Sequence, residues 1–380
     1  MGYNTWYDFQ CNIDELSLKE TIDKIIELKL NELGYNYFNL DDCWAVNRTK
    51  DGVLIADPKG FTEGSLKTLA DYAHSKKLKF GTYTDRGPKT CAGRPGAQGF
   101  EALDAQTYAD WGVDYLKEDS CFASTDHTTA FTEYGKMRDA LNATGRPIFF
   151  SVCGWNNWYA PIGASLGNSW RIGPDDTNWN GVLTNIDINA GLAQYAGHGG
   201  FNDPCLLLAE DSNGQQTMTE PQTRFQFSMW ALMTSPLLIS GNLRNMSKTN
   251  LETYMNKDVI KINQDALAKQ GVRVVGGDMQ FQDDTSTNVW AKPLSNGDVA
   301  IGFANASPKT QDIICDSSCL DVAFSTSSKT NKSLMLMEKQ ICGFSIWENN
   351  KKVIINVANG YTAKSVQGNG GMVLLRVGVC

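Results

Sequence analysis

SLKETIDKIIELKLNELGYNYFNLDD, residues 17–42, holds one full cycle of the pattern that decides the fold. Ser17 and Glu20 stand in Ser-x-x-Glu spacing, so hydroxyl and carboxylate can satisfy opposing orphan amides at a helix start. Ile22, Ile25, Ile26 and Leu33 follow at helical spacing, and Gly34 ends the run. Tyr37-Phe38-Asn39-Leu40 then reads as a strand delivering Asp41 and Asp42 at its end. The cycle recurs as a helix near Leu66–His74 and a strand Lys79–Tyr83, then a helix Ala102–Trp111 and a strand Tyr115–Lys117. Another helix lies near Tyr134–Leu141, followed by a strand Pro147–Val152. A later helix opens at Thr219, with Pro221 in its first turn and Gln222 completing a Thr-x-x-Gln box.

Repeated strand–helix units imply parallel strands joined by right-handed crossovers. About eight units in residues 1–275 fit an α/β fold of the (β/α)8 TIM barrel type. A doubly wound sheet is the alternative, but no Gly-x-Gly-x-x-Gly turn follows an early strand. In a barrel, polar residues at strand C-termini converge on one mouth. Here those ends carry Trp6, Asp41-Asp42, Tyr83-Asp85, Lys117-Asp119, Cys153-Trp155, Arg171-Asp175 and Asn202-Asp203. From residue 276 to 380 the texture changes to strand-like runs separated by Asn-Gly and Gly-Asn-Gly turns, as expected of an antiparallel β-sandwich domain.

Composition narrows the partners. The 380 residues are 42% hydrophobic with a net charge of -8, and no apolar run is long enough for a membrane helix. Acidity and the lack of a Lys/Arg cluster argue against nucleic acid and favour a neutral substrate. Ten cysteines match no zinc spacing and only three histidines are present, so structural disulfides are expected and no metal or cofactor. Five Asn-x-Ser/Thr sequons, at Asn47, Asn142, Asn245, Asn305 and Asn331, are candidate N-glycan sites. Together these point to the secretory pathway, secreted or lysosomal/vacuolar, with a mature chain from which a targeting segment has been removed.

The chemistry centres on carboxylates. Asp119 follows Lys117 by two residues on one strand, so both project to the same side and the cation favours an ionised carboxylate. Asp175 lies four residues after Arg171, where Gly173 and Pro174 make a turn leaving a strand. Hydrolysis of a glycoside with retention needs one nucleophilic carboxylate and one acid/base carboxyl about 5–5.5 Å apart.

Six segments in order carry a resemblance: Met-Gly-Tyr-Asn-Thr-Trp, Asn-Leu-Asp-Asp-Cys-Trp, Gly-Thr-Tyr-Thr-Asp, Tyr-Leu-Lys-Glu-Asp-Ser-Cys, Ser-Trp-Arg-Ile-Gly-Pro-Asp and Gly-Gly-Phe-Asn-Asp-Pro. The chain thereby resembles glycoside hydrolase family 27, the α-galactosidase and α-N-acetylgalactosaminidase family. The resemblance implies a retaining exo-glycosidase for terminal α-D-galactosyl residues, working by double displacement without a cofactor. It implies Asp119 as nucleophile and Asp175 as acid/base, with Asp176 the second choice because this loop is one residue shorter than usual. Asp41, Asp42, Lys117 and Arg171 would bind sugar hydroxyls, Trp6 and Tyr83 would wall the pocket, and Cys153 and Trp155 would belong to the sugar site. The family also suggests disulfides Cys11–Cys43 and Cys91–Cys121.

Two departures from the family stand out. Gly154 replaces a frequent Glu near the sugar's 2-position, and Cys205 replaces an Asp after Asn-Asp-Pro. A Cys153–Cys205 disulfide is therefore a hypothesis. β-L-arabinopyranosidase and α-N-acetylgalactosaminidase activities are the rivals within the mechanism; a non-catalytic galactose-binding protein is the rival outside it.

Overall fold

Parallel pairing begins at the N-terminus, where Gly2–Asn4 lies between Tyr37–Asn39 and Leu238–Ser240. The computed structural model describes residues 1–325 and 340–379. Contacts divide it into two compact units, one of Met1–Arg171, Leu206–Gln216 and Leu237–Ser247, the other of the remaining described residues. This division does not run at residue 275.

In the first unit the parallel sheet runs Leu207–Leu208, Leu238–Ser240, Gly2–Asn4, Tyr37–Asn39, Lys79–Asp85, Tyr115–Asp119, Phe149–Val152, Ser169–Arg171. Helices Glu15–Glu27, Lys67–Ser75, Glu101–Trp111 and His127–Ala143 connect successive strands as expected. The strand–helix repeat and the C-terminal antiparallel sheets give the fold class anticipated, a (β/α)8 barrel followed by a β-sandwich. Local boundaries shift. The first helix starts at Glu15, because Asp14 caps it by accepting the Ser17 N–H at 2.9 Å; Ser17 is inside the helix and does not cap it. Trp6, expected at a strand end, opens the short helix Trp6–Phe9. The strands Lys79–Asp85 and Tyr115–Asp119 each run two residues further than expected, carrying Asp85 and Asp119 inside regular pairing.

The second unit holds helix Glu220–Leu232, whose Thr219/Gln222 capping box forms as expected. A six-stranded sheet packs through Val289, Val299, Ile301, Phe303, Leu375 and Val377 against Ile313, Ala363 and Val366 of a two-stranded sheet. Every residue of Val299–Asn305 is buried, so this strand is covered on both faces. Gly302 has no room for a side chain: a Cβ there would lie 2.6 Å from Leu232 Cδ1. Lys292 is wholly buried, and its ammonium donates to Ala231 O at 3.0 Å, Ile262 O at 2.5 Å and Asn263 O at 3.4 Å. It thus satisfies orphan carbonyls where the helices Glu220–Leu232 and Lys257–Asn263 end. Burial lowers its pKa to about 7.

Disulfides join Cys11–Cys43, Cys91–Cys121 and Cys315–Cys319, and Cys342 is also disulfide-bonded. Cys153 and Cys205 are buried and in no disulfide, which removes the hypothesised bridge between them. Among the sequons, Asn305 is fully buried with Nδ2 donating to Lys309 O at 2.9 Å and Val366 O at 2.8 Å, so its amide cannot bear a glycan in the folded chain. Asn331 lies outside the described residues. No described helix is long and apolar enough to cross a membrane.

Replacing Lys292 with Met keeps the volume but leaves helix-end carbonyls unpaired. Urea unfolding is expected to show a loss of about 2–3 kcal/mol; an unchanged midpoint would show that these carbonyls need no donor.

Candidate active site

Register places the functional strand ends along one edge. Asn39 pairs with Gly81, Asp85 with Asp119, and Glu118 with Val152. Alternation then sorts the side chains: Lys117 and Asp119 project to one face of their strand, Leu116 and Glu118 to the other.

On the Asp119 face the side chains interlock. Tyr83 Oη donates to Asp119 Oδ2 at 3.0 Å, and Ser120 N–H donates to Oδ1 at 3.2 Å. Lys117 Nζ sits 3.9 Å from the same Oδ2 and donates to Asp41 Oδ2 at 2.9 Å. Its charge also lies 5.0 Å from the centre of the Tyr83 ring. Asp41 is 3% exposed and is held further by Asn4 Nδ2 at 2.7 Å, while its Oδ1 accepts the Asp42 N–H at 3.0 Å. Asp42 accepts N–H donors from Cys43 at 2.6 Å and Ala92 at 2.9 Å; burial nonetheless raises its pKa. Arg171, 5% exposed, points Nη1 at Cys153 Sγ, 3.8 Å away. Trp6 N–H donates to Asn4 Oδ1 at 2.8 Å, and Trp6 and Trp155 are half-buried. The first unit thus gathers Asp41, Tyr83, Lys117 and Asp119 into one set of contacts, with Asp42 bonded to Asp41 through its backbone.

Asp175 belongs to the second unit, on the turn after Ile172, and is exposed. Asn185 Nδ2 fixes that turn by donating to Pro174 O at 2.8 Å. The neighbouring Asp176 is fully buried and accepts from Gln226 Nε2 at 3.1 Å. Cys205 N–H donates to Asp203 Oδ1 at 3.0 Å, and Cys205 O accepts from Trp230 Nε1 at 2.9 Å.

Three residues assigned no role from sequence belong to this assembly. Asn4 stands in the first motif but reaches Asp41 only through the fold. Asp85 accepts from Gly87 N–H and Cys121 N–H, each at 2.7 Å, and ties the loop beyond Asp119 to the neighbouring strand. Burial raises its pKa to about 8, aided by the charge of Asp119. Glu118, on the opposite face of its strand from Asp119, is wholly buried with neither carboxylate oxygen hydrogen-bonded among the described residues. Burial lifts its pKa well above 4.5, with Asp85 and Glu101 adding and Arg86 opposing.

A family model described as Alpha galactosidase A matches residues 1–265. A probable alpha-galactosidase of Dictyostelium discoideum is 41% identical over 322 residues, covering 83% of this chain and 80% of the relative. An alpha-galactosidase of Cyamopsis tetragonoloba is 44% identical over 312 residues, covering 81% and 72%. The Saccharomyces cerevisiae α-galactosidase structure with raffinose superposes with a TM-score of 0.84 at 27% identity, covering 100% of this chain and 97% of that one.

Glu118 makes stability sensitive to pH in a defined direction. Above pH 4.5 the unfolded chain releases this proton and the folded chain keeps it, so unfolding is favoured as pH rises. Each such proton contributes a slope of about 1.4 kcal/mol per pH unit. Glu118→Gln is therefore expected to flatten the decline in stability between pH 5 and 8, as read by denaturant midpoints; parallel curves for the two proteins would refute it. The interlocked carboxylates, the matched model and the relatives agree: the chain belongs to the α-galactosidase family, glycoside hydrolase family 27.

Proposed function

We propose that Asp119 attacks the anomeric carbon of a terminal α-galactoside and that Asp175 first protonates the leaving oxygen, then activates water. Hydrolysis of α-galactosides is the activity for which the relatives are named. The observation that carries the nucleophile is the double hold on Asp119 Oδ2, a Tyr83 hydroxyl at 3.0 Å and the Lys117 ammonium at 3.9 Å. These orient one oxygen and leave the carboxylate beside a positive charge, as an attacking group requires. In the first step the Asp119 oxygen forms a bond to the anomeric carbon as the glycosidic oxygen departs with a proton. In the second, water deprotonated by the same acid/base displaces Asp119.

Asp175 is favoured over Asp176 because an acid/base must meet substrate and water. Asp175 is exposed, whereas Asp176 is enclosed and engaged by Gln226. Asp41 and Asp42 supply acceptors for sugar hydroxyls, Lys117 and Arg171 supply donors, and Trp6, Tyr83, Cys153 and Trp155 complete the sugar pocket. Acceptors whose positions are fixed by Asn4, Lys117 and backbone amides reject an epimer that leaves them unpaired. Residues 1–275 are the catalytic region in this reading, and residues 276–380 the appended β domain. A raffinose-type oligosaccharide suits the site, raffinose being the sugar in the yeast relative's structure.

The chain is further proposed to be a secreted or lysosomal/vacuolar glycoprotein, on the strength of its disulfides and of exposed sequons at Asn47, Asn142 and Asn245.

Asp119→Asn is expected to lower kcat on nitrophenyl α-galactoside on the order of a thousandfold or more, with near-normal turnover overturning the assignment. Asp175→Asn is expected to cost about 10²–10⁴-fold on a sugar leaving group, and Asp176→Asn far less; the reverse order would exchange their roles. Glycopeptide mass spectrometry after expression in a eukaryotic secretory host should find glycan on the exposed sequons and none on Asn305.

A further inference from the structure

Phe122 and Trp158, on two neighbouring loops, are not used by the chemistry above. Phe122 is 66% exposed and stands three residues after Asp119, so the two Cα atoms lie within about 11 Å of each other. Its φ of 54° is left-handed backbone, which costs a bulky residue on the order of 1 kcal/mol or more. The loop is pinned there. The Cys121 N–H is held by Asp85, Cys121 is disulfide-bonded to Cys91, and a Cβ on Gly87 would lie 2.4 Å from Cys121 O and 3.1 Å from Phe122 C. Single exposed apolar residues are ordinary. Leu16, for example, is 70% exposed, but it sits in relaxed helical backbone. Phe122 differs because the fold holds it in a strained conformation that points a ring at solvent beside the nucleophile strand.

The adjacent loop repeats the device. Trp155, two residues after Cys153, also has a φ of 54° and is half-buried. Further along, Trp158 stacks on His127 with ring centroids 3.8 Å apart and planes inclined by 18°. That stack fastens this loop to the first residue of the helix following Phe122. Neither loop places a Lys or Arg at these positions, which suits a neutral ligand.

We propose that Phe122 is the stacking platform for the leaving-group sugar, so that the preferred substrates are galactosides whose second unit is a pyranose with an apolar C–H face. The proposal rests on Asp119 being the nucleophile. Attack places the anomeric carbon within about 3–3.5 Å of an Asp119 oxygen, and the second ring begins one glycosidic oxygen further on. That is within the span Phe122 has on its three-residue tether. A flat ring covers the C–H face of a pyranose and removes apolar area from water, and a strained, pre-set ring loses little freedom on binding.

The test compares two substrates. α-Galactosyl fluoride has no leaving-group ring; raffinose has one. The kcat/KM ratio, raffinose over fluoride, is expected to fall about tenfold in Phe122→Ala, which corresponds to about 1.4 kcal/mol. Phe122→Trp should restore the ratio to within about twofold of wild type, and Leu16→Ala should leave it where it was. An unchanged ratio in Phe122→Ala overturns the platform, and so does an equal fall on both substrates, which would assign the ring to the fold or to the galactose pocket. A wild-type protein inert toward both substrates would refute the nucleophile reading itself, an outcome the ratio cannot imitate.

Discussion

The position of one ammonium group governs the first unit. Lys117 Nζ must lie within hydrogen-bonding distance of Asp41 and close to Asp119, and both carboxylates are almost fully enclosed. Two carboxylates at such burial would repel each other and forfeit hydration without a cation and fixed donors. Asn4, Tyr83 and the backbone amides of Asp42 and Ser120 provide those donors. Each comes from a different strand or strand end, so the charge balance exists only when the strands are in register. The arrangement of these carboxylates and the strand order are therefore set by the same contacts.

The barrel was legible because its cycle is written in two periodicities at once, helical spacing followed by short apolar runs ending in acids. Asp119 stood out because Lys117 lies at i−2, a relation that survives in any strand, and because the resemblance to family 27 falls on the same segment. What escaped was tertiary. Asn4 has no local signature of a role, since its partner Asp41 is 37 residues away. Ser17 and Glu20 looked like a cap, yet Asp14 was nearer the chain's entry and its carboxylate took the amide first. The sequon at Asn305 shows the limit of local motifs: three residues specify an acceptor pattern, and the sandwich buries it. Counting from Arg171 put Asp175 ahead of Asp176, but the bond from Gln226 to Asp176 spans 50 residues and has no local signature.

A second theme is the number of acids kept from ionising. Asp85 with a pKa of about 8, Asp104 with about 6, and the unpartnered Glu118 all owe their shifts first to burial. They cluster around the strands Lys79–Asp85 and Tyr115–Asp119, behind the site itself. Hydrogen bonds from Gly87 and Cys121 to Asp85, and from Arg48 to Asp104, offset only part of the burial cost. Protonation of these three acids thus relieves part of what their burial costs the fold.

Left-handed backbone at Phe122 and Trp155 has a consequence for how this protein can change over generations. Glycine or asparagine would occupy either position with less strain, so substitutions there are among the easiest routes to a more heat-resistant chain. Any lineage or laboratory library screened for robustness alone would drift toward them, shedding the aromatic rings of these loops as it hardened. Retaining the rings requires that selection also read the identity of the sugar being released.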